Sequence, residues 1–487
     1  MASLEELRNE RIKKLNLLKE KGMPAYPVSS KRDATLAEAN ASFSKLSKRK
    51  KITLLGRVTA LRGQGSIIFF DFFDGTGTFQ GLLKKDDMDG EVFSLFTETV
   101  DIGDFVEAEG TLFITKRKEK TLAVSGWRML AKSLRPLPDK WHGLTDMEER
   151  FRRRYLDTLM SEEVRSRFLV RSALVRFLRE YMDKDGFLEV ETPILQDVAG
   201  GALAEPFVTH HEALDIDLYL RIAPELYLKK LLVGGFNKVY ELSRNFRNEG
   251  IDATHNPEFT MLEYYEAYSD ASFQMDFVEK MLRSLVKKVT KKTTLKYGEN
   301  SVDFSKKFAR VTFFDLLKRY ALIAEPGKMS REELANKAEQ LSVEVSPHDS
   351  SEKIMDNIYK KTCRPRLINP TFITDYPAAF SPFAKRKADN SAFIDRFQLV
   401  AGGIEIVNAF SELNDPTEQR VRYEEQEKKR KGGEKDISPS DEEYVEAMEY
   451  GMPPAGGVGV GVDRIAMLLT DSKNIREAIL FPTMRPR

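Results

Sequence analysis

The stretch VYELSRNFRNEGIDATHNPEFTMLEYYEAY, residues 239–268, consists of two alternating runs around a polar loop, Asn248 to Asn256. Period-two alternation predicts strands, and the polar loop joins them as a long-looped hairpin. In the second strand Phe259, Met261, Glu263 and Tyr265 share one face, because successive side chains point to opposite sides. An aromatic ring followed by an acid and a phenol would wall in a flat ring at one end and a cation at the other. Arg247 and Glu249 enter the loop together, and a guanidinium fork matches phosphate or carboxylate oxygens. Taken alone, the segment reads more readily as an ordinary amphipathic hairpin with surface ion pairs.

Two later segments carry the same kind of signal. In GGIEIVNAFSELND, 402–415, alternation puts Ile404, Ile406, Asn408, Phe410 and Glu412 on one face and Glu405, Val407, Ala409 and Ser411 on the other. A carboxylate on an apolar strand is costly unless it meets a cation or water. In GGVGVGVDRIAMLLTD, 456–471, one whole strand face is glycine, which lets another group press on the backbone. A helix follows with Asp463 and Arg464 in its first turn, an arrangement suited to an anion. A dinucleotide fingerprint is excluded there. The third glycine position is Arg464, and the 23 residues left before the end at 487 cannot complete a βαβ unit.

Outward from these segments, residues 52–133 change character. Five short apolar runs (ITLLGRV, SIIFFDFF, GTFQGLL, DFVEAEGTLF, TLAVSGWRML) separated by turn residues predict a small five-stranded barrel, an architecture that accepts oligonucleotides. Residues 134–150, with two prolines in LRPLPDKWHG, read as a linker. A long helix follows, with Val170, Leu174, Phe177 and Tyr181 at helical spacing and Gly186 as its stop. From 151 to 487 strands and helices alternate without a βαβ rhythm, and the amphipathic strands predict an antiparallel sheet. The charged run 423–443 is expected to be a mobile insertion within that region. Residues 1–51 hold 13 Lys/Arg against 6 Asp/Glu and read as a basic helical segment, either solvated or binding a polyanion.

Whole-chain electrostatics exclude little: 77 Lys+Arg against 76 Asp+Glu give a net charge of +1, so any polyanion site is local. One cysteine, Cys363, excludes a disulfide framework and a cysteine zinc site. The five histidines form no HExxH pair, and no P-loop or GxSxG occurs. The N-terminus lacks the apolar core of a signal peptide and no apolar run approaches a membrane span, so a cytoplasmic protein is expected.

The three constellations resemble, in order, the motifs of the class II aminoacyl-tRNA synthetases. GFLEVETP, 186–193, resembles motif 1, ending in Pro193; FRNEG…HNPEFTMLEYY resembles motif 2; GVGVGVDRIAML resembles motif 3. The preceding barrel points to the subclass of the aspartyl, asparaginyl and lysyl enzymes. LRPLPDKWHGL, RYLDTL, AGGALAEPFVTHHEALDIDLYLRIAPELYLKKLLVGGF, FSELND and ILFPTMRP are similar to the lysyl family in particular, and the likeness covers the whole chain. By contrast, Lys328-Met329-Ser330-Arg331 only mimics a class I KMSKS loop. No His-x-Gly-His accompanies it, and Ser330 reads as the N-cap of a helix beginning at Arg331.

The resemblance implies an OB-fold anticodon-binding barrel followed by an α+β catalytic domain. It implies ATP-dependent joining of L-lysine to the 3′ end of tRNA(Lys) through lysyl-adenylate, with Mg2+, and a homodimer formed through motif 1. It implies that Arg247 holds the α-phosphate and the lysine carboxylate, that Glu249 and His255 line the ATP loop, and that adenine stacks between Phe259 and Arg464. Gly201 and Glu225 would take the α-amino group. Glu263, Tyr265 and Glu412 would hold the ε-ammonium, with Asn408 and Phe410 shaping the pocket. Glu405, together with Glu412, would serve the metal. On the barrel Phe69 would stack on the central anticodon base and Gln80 would hydrogen-bond it, with Arg57 and Arg62 beside them. Two departures from the family pattern stand out. Gln398 replaces a usual acid near the metal, and Thr254 stands where some bacterial members have arginine. Strict alternation also turns Glu405 away from Asn408, so a bulge near Ile406 or Val407 is required if both serve one site.

Overall fold

The computed structural model describes residues 3–138, 144–431 and 438–486, in two compact units, Met1–Leu144 and Thr145–Arg487. The first unit is a closed barrel of the strands Ile52–Gln64, Ile67–Phe73, Thr78–Lys84, Phe105–Ile114 and Lys120–Ala131. Every one of the five apolar runs is a strand. Alternation fills the barrel with Phe70 and Phe72, both fully buried, alongside Leu54, Val106, Leu122 and Met129.

The basic N-terminus is ordered against this barrel. The Leu4–Glu20 helix opens with a capping box between Ser3 and Glu6. It buries Leu18 in the barrel core. Arg11 donates to the Ile102 carbonyl (3.0 Å), and Lys14 pairs with Asp101 (2.6 Å). Part of the positive surplus is therefore spent on barrel groups.

The second unit is built on an eight-stranded sheet. Its spatial order is Ala309–Thr312, Thr371–Thr374, Arg396–Ala401, Ile404–Ser411, Ala455–Gly461, Glu258–Ala267, Lys238–Phe246 and Leu188–Glu189. The expected antiparallel sheet is corrected to a mixed one. The six central strands are antiparallel, whereas the outermost pair at each edge is parallel. The chain reaches both edge pairs by long crossovers that contain helices, and a parallel partner requires such a crossover. Alternation reports which face is buried, not strand direction, so the sequence pattern could not separate the two.

The helix Glu162–Lys184 packs on one side through Leu174, Phe177, Leu178 and Met182 and ends before Gly186, whose φ is +82°. Ser330 does cap the helix Arg331–Gln340, with Glu333 completing a capping box. Within the expected linker, residues 139–143 lie outside the described residues, and a helix already begins at Met147. The expected insertion at 423–443 is helical as far as Lys431 and again from Glu442; residues 432–437 lie outside the described residues. No helix among the described residues is long and apolar enough to cross a membrane.

Candidate active site

One cavity of about 690 Å3 opens over the central strands of the second unit. Its wall is the Glu258–Ala267 strand, whose pleat turns Phe259, Met261, Glu263 and Tyr265 into the cavity while Leu262 and Tyr264 pack in the core behind. The hairpin partner Lys238–Phe246 delivers Arg247 at its end. The pattern of acid, phenol and aromatic is therefore a site wall and not a solvated surface.

The adjacent strand Ile404–Ser411 contains the bulge that the shared site requires. Leu399 pairs with Val407 and Val400 with Glu405, leaving Ile406 as the extra residue. The added residue shifts the alternation by one, so Glu405, Asn408 and Phe410 all line the same cavity. Asn408 is held by Arg396, whose Nε donates to its Oδ1 at 3.0 Å.

The glycine face of Ala455–Gly461 also has a specific occupant. A Cβ on Gly457 would lie 2.0 Å from Glu412 Oε1 and 2.4 Å from Tyr265 Cε1. Only glycine lets the acid and the phenol press against that strand.

At one end of the cavity the groups are cationic. Arg464 starts the helix Val462–Leu469 and donates to the Glu405 carbonyl (3.0 Å) and to His255 Nε2 (2.9 Å). Nε2 therefore accepts, which places the His255 proton on Nδ1, 2.8 Å from Asp252 Oδ2. Burial and Arg464 push the His255 pKa down, against the pull of Asp252, so the ring is neutral. Arg247 lies over the Phe259 ring at 5.1 Å, and its buried Nε has no protein partner. Burial lowers the Arg247 pKa, with Glu249 opposing the shift. An unpartnered buried guanidinium N–H facing a cavity is an anion site in waiting.

The other end is acidic. Glu225 and Glu263 line the cavity, and Gly201 lies so close to Glu225 that a Cβ would come within 2.9 Å of the glutamate's own. Tyr265 donates to Glu263 Oε1 at 2.7 Å. Burial, reinforced by Glu225, nevertheless pushes the Glu263 carboxyl up to about 8.

Here the structure adds a protein cation to the expected pair of Glu263 and Glu412. Glu412 is buried behind the cavity lining, and its Oε2 lies 2.5 Å from the Nζ of Lys229, a cation that the sequence reading did not single out. Lys229 Nζ also meets Glu225 Oε1 at 2.6 Å. Glu412 Oε1, against Gly457 and Tyr265, has no hydrogen-bond partner. The signal for Lys229 was present in ELYLKK, where positions 225 and 229 are one helical turn apart and share a face.

Metal donors are sparse. Glu412 cannot share an ion with Glu405. The two stand seven residues apart near opposite ends of one strand, about 23 Å at ~3.3 Å per residue, and Glu412 is engaged by Lys229. The side-chain oxygen of Gln398 accepts from the Tyr376 hydroxyl at 2.7 Å. Among the described residues no three His, Cys, Asp or Glu side chains converge as a metal cage. At the cationic end, beside Arg464, Glu405 lines the cavity. That suits Mg2+ arriving on a polyphosphate, since the ion commonly takes one or two carboxylates plus substrate oxygens.

In the first unit, strand register places Arg62 opposite Phe69 and Asp71 opposite Gln80 on the outer face. Phe69 is half-buried on that outer face, whereas its neighbour Phe70 is core. Arg57 lies over the Phe105 ring at 4.4 Å. Gln80 Oε1 accepts from the Thr121 hydroxyl (2.9 Å), and Arg62 forms a fork on Asp71 (2.6 and 2.8 Å). An aromatic with hydrogen-bonding side chains around it is a platform for a single-stranded base.

A nucleic-acid-type barrel joined to a sheet cavity with arginines at one end and acids at the other defines a class II aminoacyl-tRNA synthetase. Residues 146–485 match the family of class II tRNA synthetases (D, K and N), and residues 52–130 match the OB-fold nucleic acid binding domain. The chain is 45% identical to the lysine–tRNA ligase of Pelotomaculum thermopropionicum over 99% of its length and 96% of that protein. It is 44% identical to those of Moorella thermoacetica and Carboxydothermus hydrogenoformans, covering 99% of itself and 98% and 99% of theirs. The chain belongs to the class II lysine–tRNA ligase family.

Proposed function

We propose that this protein activates L-lysine with ATP and transfers it to tRNA(Lys). The observation that carries the reading is the cavity's polarity, Arg247 and Arg464 at one end and buried acids at the other, in a chain similar to lysine–tRNA ligases over its full length. Lysine lies with its carboxylate on Arg247, its α-ammonium at Gly201 and Glu225, and its ε-ammonium at Glu263, Tyr265 and the free oxygen of Glu412, beside Asn408 and Phe410. ATP lies across Phe259 and Arg464, with Glu249 and His255 along its phosphates. Glu405 would hold the Mg2+, which would supply charge neutralisation at the phosphates; Gln398 stays with Tyr376.

A lysine carboxylate oxygen attacks the α-phosphorus, the bond to the β-phosphate oxygen breaks, and pyrophosphate leaves. The 3′-hydroxyl of the terminal tRNA nucleotide then attacks the activated carbonyl and AMP leaves. No protein nucleophile is needed: the side chains place the reactants in line and neutralise charge. Neutral His255 holds Arg464 without competing for the phosphates.

On the barrel, Phe69 stacks on the central anticodon base and Gln80 reads its edge, with Arg57 and Arg62 nearby. The Arg62–Asp71 pair is half-exposed and worth only about 0–1 kcal/mol, so it yields readily to RNA. The protein acts as a homodimer through motif 1, where Leu188 and, just after the motif, Ile194 and Leu195 are about half exposed in the single chain. A cytoplasmic location belongs to the same reading.

ATP–pyrophosphate exchange scanned over the twenty amino acids tests it. Exchange with lysine and with no aspartate or asparagine response is expected. Exchange with either of those amino acids and none with lysine overturns the reading.

A further inference from the structure

Lys229 sits where no solvent reaches it. It is 0% exposed, on the helix Glu225–Val233, with Nζ between Glu225 Oε1 and Glu412 Oε2 at 2.6 and 2.5 Å. Around the ammonium lie the rings of Phe383 (5.0 Å), Phe410 (5.4 Å), Tyr265 (5.9 Å) and Tyr444 (5.9 Å). A fully desolvated ammonium survives only with paired carboxylates, and aromatic faces add to the attraction. Lys229 does not line the cavity, but Glu225 does, and Glu412 reaches its floor behind Gly457.

The charged groups facing this point are three acids and one base: Glu225 from the same helix, Glu263 from the adjacent strand beside Tyr265, Glu412 beyond the Ile404–Ser411 strand, and Lys229 itself. Tyr444 faces it from the helix Glu442–Glu449 without charge. With every acid ionised the group carries a net charge of two negatives. Resting on the lysine reading above, the substrate brings two ammonium groups to this end and sends its carboxylate to Arg247. The charges then close to zero.

We infer that Lys229 is a built-in counter-cation that sets the specificity of the amino-acid pocket. It neutralises one of three buried carboxylates and holds Glu225 and Glu412 in place, so that two negative charges remain for a ligand with two ammonium groups. It is a positioning residue that acts through the acids and does not touch substrate. Burial raises the carboxyl pKa of both Glu225 and Glu412, and Lys229 opposes the rise in each. The ammonium thus favours the ionised form of its partners without entering the cavity.

The test is a charge-balance cycle read as the lysine KM and the ATP KM in pyrophosphate exchange at pH 8.5. Glu412→Gln alone leaves one net negative charge against two ammonium groups, and its lysine KM rises by about tenfold or more. Lys229→Met in that background restores two negatives. The double variant is therefore expected to bind lysine more tightly than the single, with its ATP KM within about twofold of wild type. A merely structural Lys229 predicts the reverse, because a second core lesion would add to the first. Glu225→Gln and its Lys229→Met double repeat the comparison from the other carboxylate, so loss of folding in one pair leaves the other to decide. A double variant whose lysine KM equals or exceeds that of its single overturns the inference. Absence of lysine-dependent exchange in the wild-type protein instead removes the functional reading itself, so the two failures are separate.

Discussion

Lysine binding should release a proton. In the free protein burial holds the Glu263 carboxyl up to about 8, so near neutrality it is protonated and cannot pair with an ammonium. The bound state requires it ionised. Below that pKa the competent fraction falls with each unit of pH, and apparent affinity falls with it. At pH 6.5 about 3% of Glu263 is ionised and at pH 8.5 about 75%, so the lysine KM should drop roughly 25-fold between them. The ε-ammonium, near 10.4 in free solution, stays charged over this range. The sign is definite: the group whose pKa is raised must lose a proton on binding, so alkali favours the complex. The assay is pyrophosphate exchange at saturating ATP across that range, with calorimetric titration of lysine in buffers of different ionisation enthalpy to count protons. Glu263→Gln should weaken the pH dependence, leaving that of Glu225 and Glu412, while raising the lysine KM at every pH. A wild-type lysine KM that is flat over this interval, together with no proton release, would refute the reasoning.

Gly457→Ala should remove lysine-dependent exchange, because the new Cβ would fall 2.0 Å from Glu412 Oε1 and 2.4 Å from Tyr265; a lysine KM within twofold of wild type would contradict that contact. His255→Ala should raise the ATP KM by roughly 10- to 100-fold, the loss of a charge-assisted hydrogen bond worth ~1.5–3 kcal/mol to Arg464, with the lysine KM much less affected in the same exchange assay. Phe69→Ala should weaken tRNA binding by about 1–3 kcal/mol and leave pyrophosphate exchange untouched, as measured by filter binding and exchange side by side.

Much of the cavity was legible in the chain. Period two along 258–267 placed Phe259, Met261, Glu263 and Tyr265 on one face, and the glycines of 456–461 announced a close approach, because both depend only on local backbone geometry. The conflict between Glu405 and Asn408 even located the bulge that the sheet contains at Ile406. What the chain could not disclose were facts of pairing between distant segments. The parallel sheet edges follow from crossovers, and the hydroxyl of Tyr376, just past the end of the neighbouring strand Thr371–Thr374, claims Gln398. Glu412 could be recognised in FSELND as an acid in need of a cation, but that cation lies far away in sequence, on the helix that carries Lys229. Local periodicity fixes which way a side chain points. Only the packed tertiary structure decides which charge it meets, because burial makes an unpaired ion untenable and the partner is whichever group the fold brings within reach.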